Sequence, residues 1–266
     1  MEGAIEFHFV PEITVGVVVL VGGYLYAVSP LNPEQRARVE RWRIAAFLLG
    51  ALTYFIALHP PIATLAEDWL FSVHMVQHVL ITLVGPPLLI VGTPGWLLAP
   101  VVRVRWIRRA GRALTRLPVA FAIGQVTFWI WHLPTIYELT LQHRAVHDLA
   151  HIAMMAGAVV MWWPVLSPTP AVPQAPRPLQ VLYLFLLSLP AGFLSALLVF
   201  ADEPLYPTYE LAARAIEISA LQDQRIGGLI MKLGGTLILW SVLSVYFFRM
   251  MHATPRRGSM ERSTAR

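Results

Sequence analysis

Residues 179–201 read LQVLYLFLLSLPAGFLSALLVFA, twenty-three positions from Leu179 to Ala201 without one charged side chain. A hydrocarbon core about 30 Å thick takes about 20 helical residues to cross. A helix satisfies its backbone N–H and C=O groups within one segment, so a run of this length and polarity predicts a membrane-spanning helix. Working outward, six further stretches meet or approach that length, giving spans at 10–29, 43–60, 68–98, 118–134, 146–166, 179–201 and 224–248. Gly85-Pro86-Pro87 predicts a kink inside the long third span. The connections are short or rich in turn residues, as in Ser167-Pro168-Thr169-Pro170, and none reads as a domain linker. The expected fold is all-α, a polytopic membrane helix bundle with seven transmembrane helices forming a single integral membrane domain over 1–266.

Composition agrees. Of 266 residues, 57% are hydrophobic and 13% charged, with mean hydropathy +0.62. A soluble domain carries about a quarter charged residues, so this chain has too little polar surface to cover a water-soluble globule. It contains no cysteine, which removes disulfides, thiolate metal sites and cysteine nucleophiles together. A bound metal must therefore use histidine, methionine or carboxylate. The formal charge of +5 and the pI near 9.9 raise nucleic acid as a partner, but the arginines are placed as topology signals. Arg36, Arg38, Arg41 and Arg43 follow the first span, six arginines from Arg103 to Arg116 follow the third, Arg177 follows the fifth, and Arg249, Arg256, Arg257, Arg262 and Arg266 form the tail. The other loops hold Arg144, Arg214 and Arg225, and of the acidic residues only Glu34, Glu40 and Glu261 fall among the arginine-rich segments. The positive-inside rule then places the N-terminus outside and the C-terminus in the cytoplasm. The N-terminal Met1-Glu2-Gly3-Ala4-Ile5-Glu6 has no positive n-region, so the first span reads as retained. The partner implied by the charge is the lipid bilayer, and no nucleic acid is expected.

On that topology His8, His59, His74, His78, His132, His143, His147 and His151 map to the outer half, and His252 alone is cytoplasmic. Two pairs have i,i+4 spacing: His74 with His78 in the third span, and His147 with His151 in the fifth. Four helical residues rise about 6 Å and return to the same face, so each pair can present two imidazoles to one centre. His132 ends the fourth span at similar depth. Histidine also sits at headgroup interfaces and bonds neighbouring loops, which is the reading for His8, His59 and His143. The paired sets read as a shared metal or haem site, because polar groups inside a span are costly and usually functional. Met154 and Met155 continue the His151 face inward, and Met75 lies three residues before His78. Thioether beside imidazole suits copper, particularly the cuprous ion.

Other polar residues read as structural or open. Asp148 lies off the His147 face and serves another element or caps its helix; Glu67 and Asp68 begin the third helix; Asp223 reads equally as a site carboxylate or as a helix N-terminal charge. Lys232, the one lysine, lies toward the outer end of the seventh span. The third span offers no carboxylate as counter-ion, so a Schiff-base role gives way to a snorkelling or ion-paired lysine. The glycines of Gly227-Gly228 and Gly234-Gly235 suit close helix packing. The segment 208–222 has helical periodicity and is expected to lie on the outer surface as an interfacial helix, and the 103–116 run is an orientation signal with lipid contact.

Taken together, Phe71-Ser72-Val73-His74-Met75-Val76-Gln77-His78, Trp131-His132-Leu133-Pro134, His147-Asp148-Leu149-Ala150-His151, Trp162-Trp163-Pro164 and Asp223-Gln224-Arg225-Ile226-Gly227-Gly228-Leu229-Ile230-Met231 resemble the multi-span cytochrome c oxidase assembly factor family CtaG, associated with caa-type oxidases. The motifs occur in the family's order over roughly 60–250. The resemblance implies a multi-pass protein of the bacterial inner membrane that assists assembly of a haem-copper oxidase, acting in copper delivery or insertion. Its partners would be cytochrome c oxidase subunits and a periplasmic copper donor. By motif match the implied metal residues are His74, His78, His132, His147, His151 and Asp223. The expectation is a metal-handling assembly factor, not an enzyme. The alternative is a haem-binding electron-transfer or oxidoreductase protein using the same histidine pairs. A transporter reading has only Lys232 and Asp148 for an intramembrane relay.

Overall fold

The structure is a computed structural model and describes residues 10–29, 39–211 and 217–253. His8, Arg36, Arg38, Arg214 and the tail arginines from Arg256 onward lie outside the described residues. Those described form helices and turns, with no strand among them. The helices are α1 (Pro11–Val28), α2 (Arg41–Leu58), the short α3 (Ile62–Asp68), α4 (Phe71–Gly92), α5 (Ala99–Arg103), α6 (Arg105–Leu114), α7 (Leu117–His132), α8 (Pro134–Gln142), α9 (Arg144–Leu166), α10 (Arg177–Phe200), α11 (Pro207–Leu211) and α12 (Ala220–Ala253). Six of them, α1, α2, α4, α9, α10 and α12, are each long and apolar enough to cross a membrane. A seventh crossing exists if α6 and α7 count as one element, bent by 74° at residues 115 and 116. The expected fourth span is the 16-residue α7, about 24 Å long, so it crosses only with help from that bent neighbour.

Prolines punctuate these boundaries. Pro11, Pro118, Pro134 and Pro178 sit in first helical turns, where the missing N–H would have no intrahelical partner anyway. Pro94 follows the end of α4, so the expected 68–98 span is cut to Phe71–Gly92 and residues 95–98 form a 3₁₀ turn. The expected kink takes the form of a π-helical stretch, Leu80–Val84, immediately before Gly85-Pro86-Pro87. Pro86 and Pro87 supply no N–H, so the Thr82 carbonyl has neither an i+4 nor an i+5 donor. The fully buried Trp162 fills that vacancy, its indole N–H donating to the Thr82 oxygen at 3.0 Å. The expected 208–222 helix is replaced, among the described residues, by the five-residue α11 and by the start of α12, while residues 212–216 lie outside them.

The bundle has two chemically different ends. At one, Tyr24 donates to the Gly92 carbonyl (2.9 Å), Arg43 to Val91 (3.0 Å), Arg112 to Ala171 (2.7 Å) and Tyr246 to Val165 (2.9 Å). Arg103, Arg105, Arg108, Arg109, Arg116, Arg177, Arg249 and His252 lie at this end by their positions in the helices. The opposite end gathers α3, α8, α11 and the first turns of α1, α4, α9 and α12. Here Arg144 pairs with Glu12 at 2.7 Å and Arg225 donates to Ala201. Here too stand His59, His74, His78, His132, His143, His147 and His151. The segregation of arginine from histidine anticipated from sequence is present among the described residues.

Candidate metal centre

Four of the five buried histidines come from two helix starts, so the site depends on how those helices begin. α3 ends at Asp68, the extended Leu70 follows, and α4 opens at Phe71. The first N–H groups of a helix have no internal acceptor. Asp223, itself in the first turn of α12, supplies one: its carboxylate accepts from Phe71 N–H at 2.7 Å and Ser72 N–H at 3.2 Å. One buried carboxylate thus lies at the positive ends of two helices. The close approach requires Gly227, one turn further along α12, because a Cβ there would stand 2.5 Å from the Phe71 ring. Asp223 therefore anchors the start of α4, the structural one of its two expected roles. Glu67 and Asp68 end α3 instead of beginning the next span.

So anchored, α4 carries His74 and His78 on one face and α9 brings His147 and His151 opposite. His132 joins from the last residue of α7, where Leu133-Pro134 breaks the helix. Ring centroids lie 4.4 Å apart for His74 and His78, 4.2 Å for His147 and His151, 5.9 Å for His74 and His147, 6.1 Å for His74 and His151, 5.7 Å for His78 and His151, and 5.3 Å for His78 and His132. A metal–nitrogen bond of about 2 Å places a ring centroid about 3 Å from the ion, so two rings on one ion have centroids up to about 6 Å apart. In the triad His74, His147 and His151, one ligating atom from each ring lies within 4.8 Å of the others. Two nitrogens on one ion stand up to about 4 Å apart, so the triad closes on a metal with side-chain movement of less than about 1 Å.

The hydrogen bonds select which nitrogens are bare. His132 Nδ1 lies 2.6 Å from the Phe128 carbonyl, which can only accept, so Nδ1 carries the proton and Nε2 the lone pair. Tyr209 donates its hydroxyl to the Ala66 carbonyl at 2.7 Å, so its oxygen accepts from His74 Nδ1, also at 2.7 Å. Tyr137 sits 2.8 Å from the same nitrogen. His74 is thereby turned so that Nε2 presents its lone pair. The buried atoms His78 Nδ1, His132 Nε2, His147 Nε2, His151 Nε2 and Gln77 Oε1 have no hydrogen-bond partner. Leaving a buried polar atom unpaired costs about 1–3 kcal/mol, so four such imidazole nitrogens in one cluster are what a ligand set looks like before its ion arrives.

Two cavities flank the cluster. A cleft of about 440 Å³ leads to His147, His151 and Gln77 and is lined by Glu67, Asp68 and Asp148. Glu67 approaches His147 Nε2 to 3.7 Å. Burial pushes the Glu67 carboxyl up to about 7, with Asp68 and Asp148 adding to the rise and Arg144 opposing it. Met155 lines this cleft, while Met154 lines a smaller cavity on the other side with His78 and His132. Met75 belongs elsewhere, in the aromatic cluster of Phe71, Tyr137, Tyr206 and Tyr209. His59 stacks on Phe55 and meets Thr14, and His143 is exposed at the start of α9, as expected of interface histidines. Lys232 is exposed, its ammonium lying against Gly192 of α10. Tyr137, Tyr209, Gln77 and Glu67 are site neighbours to which sequence reasoning gave no role. Gln77 could have been found, since it lies three residues after His74 on the same helix; no spacing rule ties the other three to the histidines, because α3, α8 and α11 reach the site through tertiary packing.

No curated protein and no solved structure matches this chain. The family described as Cytochrome c oxidase caa3 assembly factor (Caa3_CtaG) matches residues 22–253, a range that holds every residue of the centre just described. The chain belongs to the cytochrome c oxidase caa3 assembly factor family.

Proposed function

We propose that the protein carries copper as cargo, taking it up through the cleft to His74, His147 and His151 and passing it to a subunit of the oxidase it helps assemble. The observation that supports this reading is the meeting of two i,i+4 histidine pairs from separate helices, with ligating nitrogens of His74, His147 and His151 within 4.8 Å of one another and the His147 and His151 Nε2 atoms unpartnered. Imidazole without thiolate suits copper, and acidic residues at the cleft mouth favour arrival of a cation. The site would face the outer side of a bacterial inner membrane, with the N-terminus outside and the arginine-rich end in the cytoplasm by the positive-inside rule. A periplasmic protein would supply the metal, and the protein would have no turnover chemistry of its own. Transfer favours few ligands and open access, which a triad at the end of a cleft provides. Haem iron takes at most two axial imidazoles, whereas three converge here, so copper is preferred over haem.

Metal analysis of the purified protein tests this reading. Copper should accompany the wild type, and one ion per chain should be lost in the His74→Ala, His151→Ala double variant. A Soret band in the wild type that disappears in the same variant would overturn it in favour of haem.

A further inference from the structure

The smaller cavity is built differently from the outer cleft. It encloses about 100 Å³ and no charged residue lines it. His132 and His78 of the histidine cluster line it, and His132 Nε2 and His78 Nδ1 are buried and without a hydrogen-bond partner. Their rings stand 5.3 Å apart, within the separation that one ion permits. Met154, Met161 and Met231 line the same space, contributed by α9 and α12. Gly124 on α7 makes room for one of them: a Cβ there would stand 3.1 Å from the Met161 sulfur. Neutral imidazole and thioether without carboxylate form a donor set for a soft monovalent ion, and a cavity with no counter-charge disfavours a divalent one.

We propose that His78 and His132, with thioether sulfur from Met154, Met161 and Met231, form a second cuprous-ion site inward of the histidine triad. The inference rests on the copper reading of the triad and adds a second station to it. The two stations differ in hardness: the outer opens on carboxylates, the inner on sulfur. His78 connects them, its ring 4.4 Å from His74 and 5.7 Å from His151 on one side and 5.3 Å from His132 on the other. An ion moving inward exchanges one imidazole at a time, each exchange occurring within a shell of neighbouring donors.

The experiment loads the full chain in lipid nanodiscs with Cu(I) against a cuprous chelator, then measures copper per chain and X-ray absorption at the copper edge. The wild type should hold about two ions and show copper–sulfur scattering at about 2.3 Å. Met154→Leu, Met161→Leu and Met231→Leu together should remove the sulfur signal and one ion; leucine keeps the packing volume, so the fold survives the loss of donors. His132→Ala should remove the same ion. Gly124→Ala, which deletes no donor and only crowds the Met161 sulfur, should weaken the inner site at least tenfold. One copper per wild-type chain, nitrogen-ligated, insensitive to His132→Ala and lost on replacing His74, His147 and His151, would overturn the inner site and leave the triad standing. A wild type that binds no copper would overturn both.

Discussion

The two ends of this bundle treat buried polar atoms in opposite ways. At the arginine-rich end, side chains complete the backbone: Tyr24, Arg43 and Tyr246 donate to carbonyls in the last turns of helices, and Arg112 and Trp163 donate to carbonyls of the loop after α9. At the histidine end the donors and acceptors orient rings and stop short of satisfying them. Among the described residues, seven buried side-chain atoms lack a partner; five of these, on Gln77, His78, His132, His147 and His151, belong to the histidine cluster, and a sixth, on Gln125, lines the inner cavity. Membrane proteins satisfy backbone groups at all depths because lipid offers no hydrogen bonds. Unpaired side-chain nitrogens concentrated at one end therefore mark where the fold gives up stability, a cost that the proposed copper site accounts for.

That contrast can be broken most sharply at the site. His151→Leu replaces an unpartnered imidazole with an apolar group of similar size, so the melting temperature should hold or rise while the copper affinity of the triad falls about a hundredfold. Removing a buried acceptor that has no donor is close to neutral, whereas removing a metal ligand is not. A lowered melting temperature with copper retained would make the histidines structural. Next in size is Asp223→Ala, which strips Phe71 and Ser72 of their acceptor and should cost about 2 kcal/mol of stability, read as a lower denaturation midpoint. Its effect on copper should be indirect and smaller, since it loosens the start of α4 without removing a ligand. Copper loss equal to that of His151→Leu, with stability intact, would return Asp223 to the ligand set.

The sequence exposes those parts of the molecule that depend on local chemistry. Apolar length alone marks the spans, and helical spacing alone pairs His74 with His78 and His147 with His151. What it leaves open is decided at long range. Asp223 in a first turn reads equally as ligand or cap until its partners, Phe71 and Ser72, are found about 150 positions away. Glu67 looks like the start of a span because the extended Leu70, which separates α3 from α4, lies in an apolar run with no breaker residue. The tyrosines that orient His74 sit in segments beyond the ends of the spans, where tyrosine ordinarily anchors to headgroups, so nothing in their composition distinguishes them. Proline carries more than expected: Pro86 and Pro87 announce a kink, and the outcome is a π-helical stretch whose released carbonyl binds Trp162.

Tyr209→Phe sharpens the comparison from the side of orientation. The hydroxyl fixes the His74 tautomer and is itself held by Ala66. Removing the partner that orients a ligating histidine typically lowers metal affinity about tenfold or more. A tenfold weaker site with an unchanged copper count at saturation is the expected result, measured by competition with a cuprous chelator. An unchanged affinity would mean that Tyr137, also 2.8 Å from His74 Nδ1, holds the ring by itself.

The smallest effect belongs to the other end. Tyr24 is the buried anchor of α1, stacked on Phe47 at 3.7 Å with its hydroxyl on the Gly92 carbonyl. Gly92 packs so closely on the Phe47 backbone that a Cβ there would stand 2.5 Å from the Phe47 nitrogen, so α1, α2 and the end of α4 are fixed together at this point. Tyr24→Phe keeps the stacked ring and deletes one hydrogen bond, leaving the Gly92 oxygen without that donor. The expected loss is about 1 kcal/mol of stability, with copper affinity and stoichiometry the same as in the wild type. If copper binding fell with it, the ends would be coupled through α4, and the arginine-rich end would be part of the metal-handling apparatus instead of its frame.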